Sequence, residues 1–120
     1  MLHLMLMAAV GSTTLPPVVI EDQDRIEVAY DALAAGEAQA AIAALEAERD
    51  RNPGEPAVLI NLGSAYFQAG RYEDARLAFE AARTSSTRYE LELADGSWAD
   101  SRMIAQAALQ RLSPELLASR

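Results

Sequence analysis

Apolar residues recur along this chain at helical intervals. From Arg25 to Ala35, Ile26, Ala29 and Leu33 fall three and four residues apart. From Glu37 to Arg51, Ala41, Ile42 and Leu45 follow the same rule. Such spacing lines one face of an α-helix. Gly36 separates the two runs, and Asn52-Pro53-Gly54 stops the second. The pattern then returns. A run through Asn61 is broken at Gly70, and Ala75 and Phe79 sit on the helix after it. Near the end, Ile104, Ala108 and Leu112 recur every four residues, with Ala105 and Leu109 beside them. Asp100 or Ser101 can cap that last helix, and Ser113-Pro114 ends it. One stretch differs. Tyr89-Glu90-Leu91-Glu92-Leu93-Ala94 alternates apolar and acidic residues, and Asp95-Gly96 follows. Alternation before such a turn predicts a short extended, hairpin-like insertion. Trp98 is expected to cover the exposed end of the core.

The two helical pairs share a register. Gly36 aligns with Gly70, Ala41 with Ala75, Leu45 with Phe79, Ala29 with Gly63 and Ala32 with Tyr66, all 34 residues apart. The run Asn61-Leu62-Gly63-Ser64-Ala65-Tyr66, then Gly70, Ala75 and Phe79, resembles the tetratricopeptide repeat. That family's signature is Leu-Gly-x-x-Tyr, then Ala-x-x-x-Phe, then often Pro, with a period of 34 residues. Pro53 takes the closing-proline place of the first repeat, and the second lacks one. The resemblance implies an all-α solenoid of two helix-turn-helix repeats, residues 22–55 and 56–89. A capping segment at 90–112 holds the short extended insertion and a C-terminal capping helix, and the tail is 113–120. The repeat domain as a whole is 21–112. Small residues at Gly63 and Ala29 let paired helices approach. Tyr66, Phe79 and Leu45 fill the space between them, so Tyr66 is expected in the core.

Residues 1–20 read as a signal peptide and linker. Met1 to Val10 is apolar apart from His3, and Ala9-Val10-Gly11 gives a small-x-small pattern before Ser12. About ten residues are too few to span a bilayer, so no stable membrane insertion is expected. No Lys or Arg precedes the run. The reading is export, to the periplasm or outside the cell, with a cytoplasmic location as the alternative. Pro16-Pro17 favours an extended spacer.

Charge and composition narrow the chemistry. The 120 residues carry a net charge of −8, and all ten basic residues are arginine. No basic stripe of the kind that binds nucleic acid is visible. Residues 21–55 hold ten acids against three arginines. Cysteine is absent and the one histidine is His3, so no thiolate site or Ser-His-Asp triad is expected. No glycine-rich phosphate loop occurs. Asp22 and Asp24 read as a helix start at the positive end of its dipole, not as a metal site. The chain is read as non-enzymatic, with no catalytic, cofactor or metal residues.

In tetratricopeptide repeats the first helix of each repeat lines a concave groove that receives peptides or partner surfaces. Carried onto this chain, the groove comprises Gln23, Glu27 and Tyr30 of the first repeat and Asn61, Ser64 and Gln68 of the second. Each set keeps one helical face. The resemblance therefore implies a protein-interaction module with a protein or peptide partner. The alternative is a self-associating structural subunit, a homo-oligomer with no separate ligand. Glu27 and Tyr30 stand where members that clamp peptide carboxylates carry cationic and amide groups, so chaperone tails are poor candidates. The acidic first repeat favours a basic partner.

Overall fold

A computed structural model describes residues 18–19, 32–93, 95–112 and 114. The predicted first helix is seen only at its end, where residues 32–34 are helical, and the leader reading of residues 1–17 lies outside the described residues. The elements in order are β1 (Val18–Val19), α1 (Ala38–Arg51), α2 (Pro56–Gln68), α3 (Tyr72–Thr84), β2 (Glu90–Leu93), β3 (Trp98–Asp100) and α4 (Ser101–Arg111). The fold is a mostly helical repeat arrangement carrying a small sheet.

Local chemistry sets each boundary. Pro56 opens α2 at a position whose N–H would have no helical partner, and the Glu55 side chain accepts from Ala57 N at 3.3 Å. Burial holds the Glu55 carboxyl above its ordinary pKa, opposed by that hydrogen bond. α3 carries Glu73 and Asp74 in its first turn and Arg83 in its last, matching the helix dipole at both ends. Its buried positions are Ala75, Ala78, Phe79 and Ala82, one apolar stripe.

The turn between helices occurs twice in the same form. Glu37 N donates to Ala32 O at 2.8 Å, and Arg71 N donates to Tyr66 O at 2.8 Å. Gly36 N donates to Leu33 O, and Gly70 N to Phe67 O. Gly36 and Gly70 have φ of 78° and 79°. A left-handed glycine followed by a bond reaching five residues back is a Schellman ending. The 34-residue register is thus present in the backbone as well as in the side chains.

α2 is the centre of the core. Every residue from Pro56 to Phe67 is buried, because α1 and α3 pack against it on two sides, and α4 and β1 also touch it. Its sequence is apolar nearly all round, as such a helix must be. Phe79 is 0% exposed and lies against Gly63. The Tyr66 hydroxyl donates to the Glu46 carboxylate on α1, tying the two repeats together.

The alternating stretch does form a hairpin. β2 and β3 pair antiparallel, Leu91 opposite Ala99 and Glu92 opposite Trp98, and Gly96 makes the turn with φ of 88°. The expectation for Trp98 is corrected: it is 61% exposed. Residues opposite each other share a face of the sheet. Trp98 therefore lies on the outer face with Glu92, while Leu91, 5% exposed, fills the core. β1 adds a third strand on the other side of β2.

Asp100 fastens the hairpin to α4. Its carboxylate accepts from Arg102 N at 2.8 Å, capping the helix, and from the Arg88 guanidinium at 2.7 Å and 3.0 Å. The Arg88 bonds are the main reason that its pKa lies below the ordinary 3.8. A carboxylate with a lowered pKa binds protons less readily folded than unfolded. Its contribution is complete above the ordinary carboxylate range and lost as pH falls through the lowered value. Asp100→Asn keeps a capping side chain but not the charge. It is expected to flatten the acid limb of a stability-versus-pH curve; coincident limbs would show that the ionisation contributes nothing.

Candidate functional site

The face of α2 that carries Ile60 and Ser64 does not close completely. Ile60 and Ser64 of α2, Phe79 of α3, Leu93 and Ala99 of the hairpin, and Met103, Ile104, Ala107, Ala108 and Arg111 of α4 surround a half-open pocket of about 330 Å³. That is the lower end of the size range of sites that hold small ligands or a partner's side chains. The walls are almost wholly aliphatic. Met103 stands at the opening, 67% exposed.

Arg111 is one polar residue of the wall, and Ser64 is the other. It is 6% exposed, and its Oγ is buried without a hydrogen-bond partner. A buried hydroxyl left unsatisfied costs about 1–3 kcal/mol, so a partner group that reached it would be favoured. Gln68, one turn on, donates from Nε2 to Leu33 O at 3.3 Å, while its Oε1 has no partner. Asn61 is 1% exposed, inside the monomer. Replacing it therefore disturbs the interior as well as any surface it serves. Gln23, Glu27 and Tyr30 lie outside the described residues.

Of the residues read from sequence as a groove, Ser64 reaches this pocket. The contributions of the hairpin and α4 were not foreseen. The apolar face of α4 was legible, but periodicity does not say that part of that face stays open. The sequence signal available was Met103, an unbranched apolar residue just inside the helix start.

Tyr66 is held as a structural group. It is 5% exposed, with the Arg71 guanidinium 4.7 Å from its ring centroid. Burial raises its pKa, and the Glu46 hydrogen bond raises it further, which keeps the phenol protonated. Among the described residues, no three His, Cys, Asp or Glu side chains gather where they could hold a metal ion, and no helix is long and apolar enough to cross a membrane.

Comparison with curated proteins and with solved structures gives no match. A scan against protein families matches residues 28–89 to the tetratricopeptide repeat, more than half of the chain. The matched span takes in both copies of the glycine turn and the Gly63–Phe79 contact. The chain belongs to the tetratricopeptide repeat family.

Proposed function

We propose that this chain is a non-enzymatic interaction module of two repeats capped by α4, binding a peptide or protein surface in the pocket between α2 and α4. Tetratricopeptide repeats in general mediate protein–protein interaction. The observation that supports this particular site is the buried, unsatisfied Ser64 hydroxyl in an aliphatic, half-open pocket. An apolar partner side chain fills the walls, and a backbone group beside it satisfies Ser64. Gln23, Glu27 and Tyr30 are kept in this proposal as partner-contacting residues of the first repeat.

Ala107 tests the site with little risk to the fold, because it is exposed at the rim. Ala107→Glu places a charge where an apolar group should enter. Affinity capture with the full chain from its native source is expected to lose the partner in this variant, at an unchanged melting temperature. A partner retained at full strength would place binding elsewhere.

Self-association is the second reading. Trp98 at 61% and Met103 at 67% exposure are large apolar residues on adjacent elements, and an exposed apolar patch marks an interaction surface. A sedimentation-equilibrium dimer that Met103→Glu converts to monomer would favour it; a monomer at all concentrations would dismiss it.

Export of the chain also belongs to this proposal. The mature protein is expected to begin near Ser12, which leaves β1 in place. Mass spectrometry of the native protein decides, and intact Met1 in a soluble cytoplasmic fraction would refute export.

A further inference from the structure

The two pairings of the small sheet are unequal. β2 and β3 pair over three residues and are joined by a tight turn. β1 pairs over two, Val18 opposite Leu93 and Val19 opposite Glu92, and reaches β2 from the far end of the chain. Facing residues in an antiparallel pair stabilise it when both are apolar or when their charges are opposite. Val18 with Leu93 satisfies that rule. Val19 with Glu92 does not. The chain's own sequence continues with Ile20 and Glu21, so a longer pairing in this register would set a carboxylate against Glu90.

β2 itself alternates two acids with two leucines. Leu91 is buried and Leu93 half-buried, while Glu90 is exposed and Glu92 half-buried. Glu48, Glu73, Asp74, Glu80 and Asp100 each pair with an arginine, while several other acids do not. Among the described residues, Glu90 and Glu92 take part in no ion pair. The edge of β2 that β1 occupies is therefore a strand template with two negative charges outside any ion pair, of which Glu92 alone lies opposite a described residue of β1.

We propose that this edge is a docking site for an extended segment of another protein in which apolar residues alternate with Lys or Arg, and that β1 holds the place until it is displaced. The incoming strand sets apolar residues opposite Leu93 and Leu91 and basic residues opposite Glu92 and Glu90. It replaces the main-chain hydrogen bonds of β1 with equivalent ones, as strand addition does elsewhere, and adds two charge pairs that β1 lacks. The net charge of −8 raises the encounter rate of such a segment. This surface is separate from the α2–α4 pocket except at Leu93, which borders both.

The absence of cysteine makes a clean test available. Residues facing each other across an antiparallel pair lie within disulfide reach, so Val18→Cys with Leu93→Cys locks β1 onto β2 when oxidised. The probe is a blocked, fluorescent peptide copying residues 15–21 with Val19→Arg and Glu21→Arg; its control carries Val19→Glu and keeps Glu21. Anisotropy titration of the full-length chain is expected to show binding of the arginine peptide about tenfold tighter than the control. Oxidising the double-cysteine variant should weaken binding about tenfold, and reduction should restore it. Glu90→Lys with Glu92→Lys, both on the outer face, should reverse the preference between peptides and does not depend on the disulfide. Equal binding to oxidised and reduced protein, equal binding of the two peptides, or no binding would each overturn the proposal. Binding that ignores the lock but is lost in Ala107→Glu would also overturn it, while leaving the pocket reading intact.

Discussion

Phe79→Ala is expected to lower the stability of the domain by about 3–5 kcal/mol, the range for emptying a buried aromatic site. Phe79 is 0% exposed and joins three elements. It lies against Gly63 of α2, belongs to the buried stripe of α3, and forms part of the pocket wall facing α4. No neighbour can slide in to fill the space without breaking another of these contacts. A small domain has about 5–15 kcal/mol in total, so the variant should populate unfolded chain measurably at room temperature. The check is a urea or guanidinium midpoint with an unchanged slope. A midpoint equal to that of wild type would mean that Phe79 does not sit between the two helices.

Gly63→Ala should destabilise as well, although alanine is the better helix former. A methyl group at position 63 would lie 2.4 Å from Cε1 of Phe79 and 2.7 Å from both Cδ1 and Cζ. The ring is fully buried and rigid, so the backbones must separate. Overpacking of this kind costs about 1–3 kcal/mol or more, against a helix-propensity gain of about 1 kcal/mol. We expect a net loss of up to about 2 kcal/mol, the difference between the two effects. The pair is also coupled. Phe79→Leu should cost less in the Gly63→Ala background than in wild type, a non-additivity that marks direct contact. A raised midpoint for Gly63→Ala would refute the close approach.

These two residues show what was legible beforehand. Glycine before a tyrosine, and phenylalanine four residues after an alanine, carry a register because each fits one steric environment. The same holds for Gly36 and Gly70, whose left-handed φ values make the two turns superimpose in hydrogen bonding. The hairpin was legible from Asp95-Gly96 and the alternation before it. Trp98 was misplaced because alternation gives two faces but not which one is inward. The register with β3 decides that, setting Trp98 with Glu92 and Ala99 with Leu91. β1 was not legible as a paired strand, since Pro16-Pro17 signals extension while the partner at Glu92 and Leu93 is remote in sequence. For the candidate site, the stripe of Asn61, Ser64 and Gln68 named a face of α2, but a stripe does not state what covers it. Asn61 was therefore placed on a groove, whereas neighbouring elements enclose it to 1% exposure. Ser64, on the same stripe, lines the half-open pocket together with residues of α4 and the hairpin.

The measurement that tests the interaction site most directly is site-specific photo-crosslinking in the native setting. A photoreactive residue replaces Met103, which stands at the pocket opening, or Leu77, which is 54% exposed on α3 and outside that pocket. A partner seated between α2 and α4 should give adducts from position 103, mapped by mass spectrometry to a defined segment of another protein, and none to that segment from position 77. Adducts from position 77 alone, or from position 103 only to a second copy of this chain, would contradict a partner-binding pocket between α2 and α4.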